Sequence, residues 1–305
     1  MFAFQTSPLD RHGDSRHRPQ FIAQRLQKPE TRFLPVIKQS IATKVDANQA
    51  SPMWLDYQQL TAITPHIEDK HLIYLGEYDS CDYFTFRLKS QSAMERLSSL
   101  GDKFELTELR QLLKNLPPEQ AHICNVAVAI EHWHNTHQHC GVCGHQTFAT
   151  DAGFVRNCSN QECQTQHFPR TDSAVICAIT YEDKLLLGRQ QSWPEKLFSV
   201  IAGFVEPGET LEQAVTREAF EETGIKINDV RYYGSQPWPF PQSLMIGFTA
   251  KAVSEKIDLM DEELEQARWF TREEVNRLVD NEEMFLPFKH SISRTLIDQW
   301  LNRNK

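Results

Sequence analysis

Three glutamates of this sequence, Glu218, Glu221 and Glu222, are spaced as they would be on about one turn of a helix. At that spacing Glu218 and Glu222 share a face and Glu221 lies beside them. Like charges this close destabilise a bare helix, and divalent cations such as Mg²⁺ or Mn²⁺ relieve the repulsion through oxygen ligands. Bound cations also hold a diphosphate and activate water for hydrolysis. A solvated acidic helix face is the alternative interpretation.

The segment around the glutamates favours the metal-binding interpretation. A helix is predicted over Leu211–Thr223, and Gly224 is placed to end it in the left-handed conformation. A turn that opens at Gly203 precedes this helix. Arg217 is expected to pair with Glu209 and so to hold the turn against the helix.

Four cysteines form two closely spaced pairs, Cys140 with Cys143 and Cys158 with Cys163. Two such pairs allow two tight turns to converge on one tetrahedral ion, and Zn²⁺ suits four thiolates. We therefore predict one structural Zn²⁺ per chain, with two disulfides or free thiols as the alternatives. Because four cysteines complete a tetrahedron, the flanking histidines are predicted to lie on the surface. These histidines are His132, His134, His137, His139 and His145.

Residues 203–225 resemble the Nudix box, G-x5-E-x7-R-E-U-x-E-E-x-G-U with U aliphatic, and every defined position matches if alanine is allowed at one U. The resemblance implies an α+β protein whose Nudix domain is an α/β/α sandwich on a mixed sheet. It implies hydrolysis of a nucleoside diphosphate linked to another group. It also implies that Glu218, Glu221 and Glu222 are catalytic. Glu218, Glu222 and the backbone carbonyl of Ala202 are the implied ligands of Mg²⁺ or Mn²⁺.

Three alternating prolines stiffen the loop from Ser235 to Ser243, which reads Ser-Gln-Pro-Trp-Pro-Phe-Pro-Gln-Ser. Its two aromatic rings offer stacking faces and its two glutamines offer hydrogen bonds, which suits a ligand with flat bases. An ordinary proline-rich surface loop is the alternative. The predicted substrate-binding residues of the loop are Gln236, Pro237, Trp238, Pro239, Phe240, Pro241, Gln242 and Ser243.

This loop is similar to the SQPWPFPxS array of NADH pyrophosphatases, a group of Nudix hydrolases that also has a four-cysteine zinc ribbon and an N-terminal accessory domain. The resemblance implies hydrolysis of the diphosphate of NADH or NAD⁺ by a divalent-metal-activated water, which gives NMNH or NMN plus AMP. It also implies a homodimer in which the substrate pocket is completed across the interface.

Three other functions fit parts of the same pattern. Removal of the NAD cap from RNA 5′ ends uses the same chemistry on a longer substrate. General hydrolysis of ADP-ribose or dinucleoside polyphosphates needs no nicotinamide. A catalytically silent zinc-ribbon protein that binds nucleic acid or senses nucleotides would be expected to lose metal-binding glutamates, and the box has lost none.

Beyond the box, Glu263 matches the family's additional metal-binding glutamate. Glu262 and Glu265 are so close that the assignment can shift by one or two residues. An exposed acidic helix is the alternative interpretation of this segment.

Four further positions follow from the resemblance as substrate-binding residues. Phe204 is expected to stack on the nicotinamide ring. Phe168 stands where the family often has a tyrosine that stacks from the partner subunit, so the ring is kept and the hydroxyl is lost. Arg110 and Ser293 match residues associated with substrate binding, and surface positions are the alternative for both.

Sequence patterns divide the chain into four parts. They are a loosely ordered lead-in over 1–30, an N-terminal α/β accessory domain over 31–135, the zinc ribbon over 136–167 and the Nudix domain over 168–305. The accessory domain contains no catalytic motif and is interpreted as a folding and association domain.

Hydrophobic periodicity places strands and helices in the two larger domains. In the accessory domain it predicts strands Phe33–Lys38, Met53–Tyr57, His71–Gly76 and Tyr83–Leu88, a helix Thr107–Leu116 and a longer helix opened by Pro118. In the Nudix domain it predicts strands Ser173–Thr180, Lys184–Gln190, Ser199–Val205, Arg231–Gly234 and Ser243–Val253, and helices Leu211–Thr223, Arg272–Val279 and Phe288–Arg303.

The composition excludes some classes of function. A formal net charge of −9 over 305 residues argues against a general nucleic-acid binder, although a local basic patch remains compatible with it. The lead-in is rich in arginine and histidine, which allows a polyanion-binding arm as an alternative to a mobile tail. The sequence has neither an apolar run of membrane-spanning length nor a secretory leader pattern, so we expect a cytoplasmic protein.

Overall fold

The computed structural model describes residues 7–46, 49–100, 104–259 and 263–302. The chain divides into two compact units. The N-terminal unit extends to Arg170 and also contains Pro239–Gln242, whereas the C-terminal unit comprises Thr171–Trp238 and the chain from Ser243 onward. No helix in the described ranges is long and apolar enough to cross a membrane.

A six-stranded mixed sheet forms the centre of the N-terminal unit. Its strands are β1 (Arg32–Ile37), β2 (Ser40–Asp46), β3 (Gln49–Pro52), β4 (Ile73–Tyr78), β5 (Cys81–Arg87) and β6 (Phe104–Glu108). They follow the order β3-β2-β1-β5-β4, with β6 also paired to β2. The pair β1–β5 is parallel and the other pairs are antiparallel.

Helices contribute to the cores on the two faces of this sheet. They are α1 (Pro19–Leu26), α2 (Tyr57–Ile63), α3 (Gln91–Ser98), α4 (Leu109–Leu112) and α5 (Pro118–Thr136). Successive strand residues point to opposite faces. Leu34 and Val36 of β1 therefore join one hydrophobic core with α5, and Phe33 joins another with α2 and α3.

The segment predicted as a zinc ribbon, called the ribbon below, follows α5 and forms a three-stranded antiparallel sheet. Its strands are β7 (Thr147–Thr150), β8 (Val155–Cys158) and β9 (Gln166–His167). Between residues 138 and 167 the buried hydrophobic side chains are Cys140 and Cys158. This segment therefore has almost no apolar core of its own, and its stability must come from its cysteines and its contacts.

The C-terminal unit is a second mixed sheet with helices on both faces. Its strands are β10 (Asp172–Tyr181), β11 (Lys184–Arg189), β12 (Ile201–Phe204), β13 (Ile227–Trp238), β14 (Ser243–Ala252) and β15 (Gln266–Phe270), and its helices are α6 (Leu211–Thr223), α7 (Arg272–Asp280) and α8 (Ile292–Asn302). The order is β13-β14-β10-β11-β15, with β12 on β10. Val175 faces α6 and Ile176 faces α8. The predicted α/β/α sandwich on a mixed sheet is confirmed.

The start of the chain differs from the loosely ordered lead-in predicted over 1–30. Residues 1–6 lie outside the described part of the chain. From residue 7 onward the segment contains α1, and Leu9 and Leu26 are buried. Arg16 and Arg25 form ion pairs with acidic side chains far away in the sequence. Local composition could not reveal these partners.

Two predicted elements of the accessory domain are wrong. Met53–Tyr57 is not a strand, because Asp56 starts α2 through a capping box with Gln59. The helix predicted over Thr107–Leu116 begins only at Leu109, since the preceding residues extend the sheet as β6. In both segments strand pairing or capping overrides hydrophobic spacing.

Candidate active site

Helix α6 begins and ends where the sequence predicts. At its start the Thr210 hydroxyl accepts a hydrogen bond from the Gln213 backbone N–H, and the Gln213 side chain accepts one from the Thr210 N–H. At its end Gly224 has a φ of +67° and donates its N–H to the Phe220 carbonyl at 2.7 Å. Both ends of the helix are therefore fixed. This also fixes the helix face on which Glu218 and Glu222 lie.

The inner face of α6 carries Glu218 and Glu222, whose residues are 9% and 2% exposed. The Glu218 carboxylate lies against β12: a Cβ atom on Gly203 would be 2.0 Å from Glu218 Cδ. Only glycine leaves room for the carboxylate at that strand position. Burial raises the pKa of Glu218, contact with Arg217 lowers it, and the charge of Glu263 raises it.

Arg217 connects the glutamates to the turn before the helix. Its Nε and Nη2 donate to the two carboxylate oxygens of Glu209 at 2.6 and 3.0 Å. Its Nη1 donates to Glu218 at 2.8 Å and to Glu221 at 3.0 Å, and Nη2 also donates to the Phe204 carbonyl at 2.9 Å. The predicted pair of Arg217 and Glu209 is confirmed. This contact holds the pKa of Glu209 down at about 2.

The three box glutamates have different surroundings. The Glu221 side chain is 53% exposed and shares the Arg217 guanidinium with Glu218. Glu222 is buried on the side of α6 that faces the sheet. Ala202 immediately precedes Gly203 on β12, so its backbone lies next to the Glu218 carboxylate. The structure therefore places the Glu218 carboxylate beside the strand that carries Ala202. The metal-binding roles of Glu218, Glu222 and the Ala202 carbonyl stay predictions.

Glu263 lies on the segment before β15 and is exposed. Its Oε1 accepts a hydrogen bond from Gln190 at 3.0 Å, and its charge acts on Glu218. Glu265 is instead paired with Arg189, and Glu262 lies outside the described residues. Glu263 and not Glu265 therefore interacts electrostatically with Glu218 of the box.

The four cysteines come together as the sequence predicts. Their sulfurs all lie within 4.8 Å of one another, and in the described part of the chain no other group of three or more His, Cys, Asp or Glu side chains brings its ligand atoms this close together. None of the four forms a disulfide. The backbone N–H groups of Val142 and Asn160 donate to the sulfurs of Cys140 and Cys158, both at 3.4 Å. Four sulfurs with N–H donors fit a tetrahedral metal ion.

Two family models match the chain. One, described as a NUDIX domain, matches residues 170–290, and the other, described as an NADH pyrophosphatase-like rudimentary NUDIX domain, matches residues 30–133. The NAD-capped RNA hydrolase NudC of Mycobacterium bovis is 37% identical over 220 residues, which are 69% of this chain and 70% of that protein.

The chain belongs to the NADH pyrophosphatase group of the Nudix hydrolases.

Two further relatives show how much of each protein is shared. NudC of Actinobacillus succinogenes, also named an NAD-capped RNA hydrolase, is 37% identical over 215 residues, 69% of this chain and 77% of that protein. The human NAD-capped RNA hydrolase NUDT12 is 35% identical over 255 residues, 78% of this chain but 55% of that protein. This chain spans about half the length of human NUDT12.

In this Nudix hydrolase Gln236 has a structural role. It is 2% exposed, its side-chain amide donates to the His290 carbonyl at 2.7 Å, and its side-chain oxygen accepts from the Ile292 N–H at 2.8 Å. The Gln236 side chain therefore fixes the start of α8, and its predicted contact with substrate stays a prediction. Ser293 is also buried, and its hydroxyl lies 2.7 Å from that of Ser199.

The proline-rich loop is divided between the two units of the Nudix hydrolase. Pro237, Trp238 and Ser243 are at the ends of β13 and β14, whereas Pro239–Gln242 belong to the N-terminal unit. There Phe240 packs against the core beneath α5, and the Arg110 guanidinium lies 4.7 Å from the centre of its ring. Two residues predicted separately as substrate-binding are thus brought into contact.

The two phenylalanines predicted to stack on the substrate are largely exposed to solvent. Phe168 in the N-terminal unit is 64% exposed, and Phe204 in the C-terminal unit is 59% exposed. Rings exposed to this extent have a face open for stacking. Their exposure is compatible with the predicted stacking roles, which remain predictions.

His134 differs from the surface position predicted for it. Its Nε2 donates to the Gly153 carbonyl at 2.7 Å, and its Nδ1 accepts from Arg156 Nη1 at 2.7 Å. It therefore joins α5 to the ribbon as a neutral imidazole. The signal in the sequence was its place four residues after Ile130, which is buried on the same helix.

We expect the stability of the N-terminal unit to depend on the protonation of His134. Burial lowers its pKa from 6.5 to about 4, the Gly153 contact raises it, and Arg156 and His137 lower it. The unfolded chain therefore takes up a proton near pH 6.5 and the folded protein only near pH 4. Above pH 6.5 the contribution of neutral His134 to the free energy of unfolding should be fully present. As the pH falls from 6.5 to about 4, the free energy of unfolding should decrease by up to about 3 kcal/mol.

Urea unfolding at several pH values checks this expectation. His134→Gln should reduce the slope between the two pKa values, whereas His139→Gln, at an exposed position, should leave it unchanged. Part of the slope should remain, because burial also lowers the pKa of His122 to about 4. An unchanged slope in His134→Gln would assign the acid sensitivity to other groups.

Proposed function

We propose that this chain adds water to the diphosphate of NADH or NAD⁺ and releases NMNH or NMN plus AMP. The observation that carries the proposal is the burial of Glu218 and Glu222 on one helix, with the Glu218 carboxylate at a strand position where Gly203 leaves it room. Buried carboxylates require counter-charge, which divalent cations would provide, and the same cations would bind the anionic diphosphate. The relatives' names specify an NAD cap, which supports a nicotinamide dinucleotide as the substrate class.

The proposed ligands of Mg²⁺ or Mn²⁺ are Glu218, Glu222, Glu263 and the Ala202 carbonyl. All four offer oxygen, which these hard cations prefer. The effect of the Glu263 charge on the pKa of Glu218 supports their proximity. When bound, such cations neutralise phosphate charge and activate water.

Side chains of the box position the carboxylates and accept the proton that the water releases. Arg217 holds Glu218 and Glu221 in place and is itself held by Glu209. The oxygen of water bonds to one phosphorus, the bond from that phosphorus to the bridging oxygen breaks, and the other nucleotide leaves as a phosphate monoester. The water proton passes to a carboxylate of the cluster, for which Glu221 and Glu222 are the candidates, and then to solvent.

The exposed rings are the proposed means of recognising the substrate. Phe204 would stack on the nicotinamide, and we also propose a homodimer in which Phe168 of the partner subunit stacks as well. Activity per chain should then fall on dilution in parallel with dissociation of the dimer, as measured by light scattering and NADH hydrolysis. Full activity of the monomer would contradict the shared pocket.

Gly203→Ala should lower turnover without unfolding the protein. The new methyl group would occupy the space of the Glu218 carboxylate, and a displacement of about 1 Å at a reacting site costs roughly a hundredfold. Gly13→Ala is the control, because a Cβ atom there meets nothing within 4 Å. NADH hydrolysis and thermal unfolding of both variants test this. Normal turnover in Gly203→Ala would mean that the Glu218 position is not critical.

Substrate preference tests the nicotinamide part of the proposal. The protein, with Mg²⁺ or Mn²⁺, is given NADH, NAD⁺ and ADP-ribose at equal concentrations. Because ADP-ribose lacks the nicotinamide ring, it should be cleaved about three- to tenfold less efficiently. Equal cleavage would leave diphosphate hydrolysis in place but exclude recognition of the nicotinamide.

A second candidate function is removal of the NAD cap from RNA, which the names of the relatives favour. It uses the same site and chemistry, and a comparison of NADH with an NAD-capped oligonucleotide separates the two. We also propose that the four cysteines hold one structural Zn²⁺. The cytoplasmic location expected from the sequence stays a prediction.

A further inference from the structure

A groove in the N-terminal unit differs in charge from the acidic chain around it. It has a volume of about 700 Å³ and lies between the accessory sheet and the ribbon. Its cationic side chains are Lys38, Lys70, Arg87, Lys89 and Arg156. Among the described residues that line the groove, Glu131 alone has a carboxylate, and that side chain is buried at 3.4 Å from Arg87. The groove is thus strongly positive in a protein of formal charge −9.

The three lysines of the groove present their charges to solvent. Lys38 lies in the two-residue turn between β1 and β2, and Lys70 and Lys89 lie just before β4 and just after β5. All three are exposed, and Lys70 also pairs with Glu68 at 2.8 Å. His71 lies among them, and its pKa is lowered first by burial and then by the charge of Lys89. A positive field therefore extends along this edge.

The opposite wall of the groove offers a ring and hydrogen-bonding groups. Phe148 of β7 is 49% exposed, so its ring is open for stacking. Gln138 and Gln146 beside it are exposed amides. Lysines that follow a phosphate chain, with an aromatic ring on which a base can stack, are typical of single-stranded nucleic-acid sites.

The basic lead-in does not supply this surface. Arg16 and Arg25 are used in ion pairs with Asp151, Glu77 and Asp82. These two arginines are therefore occupied, whereas the three lysines of the groove are exposed. Hydrolysis of NAD(H) by the carboxylates of α6 does not require the groove.

We propose that the groove lined by Lys38, Lys70, Lys89 and Phe148 binds a single-stranded RNA through its phosphates and one stacked base. A nucleic acid fits better than a flat anionic surface because the lysines line a concave groove with a ring on its wall. A link between this groove and hydrolysis rests on the proposed function, but the binding itself does not.

The test is binding of a fluorescent, uncapped RNA of about 12 nucleotides to the full chain, a length within the usual range of such sites. Fluorescence anisotropy at low and moderate salt should show binding that weakens with salt. The triple variant K38E/K70E/K89E should weaken binding roughly tenfold or more and lower the salt dependence by about two ions, as expected for the loss of three phosphate contacts. Phe148→Ala should weaken binding several-fold.

The matched control is K114E/K226E/K256E, which changes the net charge by the same amount at exposed lysines outside the groove. It should keep most of the affinity. No binding by the unmodified protein, or equal loss in the two triple variants, would overturn the proposal. So would binding of phosphatidylserine vesicles in place of RNA.

Free NADH hydrolysis, measured on the same preparations, separates this inference from the proposed function. It should be unchanged in both triple variants. NADH hydrolysis without RNA binding would overturn only the proposal that the groove binds RNA. RNA binding without NADH hydrolysis would overturn only the proposed function.

Discussion

Replacing Glu222 with glutamine lowers the rate of NADH hydrolysis by at least about a hundredfold and leaves the fold intact, if Glu222 binds the catalytic cation. The amide has the same shape as the carboxylate, so it fits a side chain that is 2% exposed. It lacks the negative charge that a divalent cation requires. Removing one of three crowded charges on α6 should keep thermal stability or raise it slightly.

Glu212→Gln is the matched control for this variant. Glu212 is on the same helix but exposed, so the same chemical change there should leave turnover within about twofold. Turnover at saturating substrate and thermal unfolding are measured for both. Full turnover in Glu222→Gln would exclude Glu222 from the metal centre, and loss in both variants would indicate a general effect of charge on α6.

Replacing Cys140 with serine should remove the metal from the ribbon and unfold that segment. The buried hydrophobic side chains of residues 138–167 are Cys140 and Cys158 themselves, so no apolar core remains to hold the strands together. For a structural zinc site the binding free energy is also folding free energy, about 10 kcal/mol or more in isolated zinc fingers. We therefore expect a loss of several kcal/mol in this region.

Elemental analysis and limited proteolysis measure this effect directly. The unmodified protein should contain one zinc per chain, and Cys140→Ser should contain much less and be cut between β7 and β9. Cys81→Ser is the control, since Cys81 lies outside the four-cysteine group. A protein purified without zinc that remains folded and resistant to protease would contradict a structural metal.

The fold of the C-terminal unit could be predicted well because its elements carry strong local signals. Thr210 with Gln213 starts α6 and Gly224 ends it, and both are visible in the sequence. The short elements of the N-terminal unit carry weaker signals. The segment Phe104–Glu108 becomes a strand because β2 needs a partner, and that partner lies about sixty residues earlier in the chain.

The site shows the same division between local and long-range information. Spacing alone puts Glu218 and Glu222 on one face, but it cannot show that Glu218 lies against Gly203 on another strand. The role of Gln236 depends on two backbone groups more than fifty residues away. Likewise, the net charge of −9 could not predict the basic groove, because a net charge contains no information about the positions of the charged side chains.

The most direct test of the account is to identify the products of NADH by chromatography and mass spectrometry. The protein is incubated with NADH and Mg²⁺ or Mn²⁺, alongside Glu222→Gln and a sample with excess chelator. The account predicts equal amounts of NMNH and AMP from the unmodified protein and almost none from the other two samples. Release of free nicotinamide, or the absence of any cleavage under these conditions, would contradict diphosphate hydrolysis of NAD(H) by this chain.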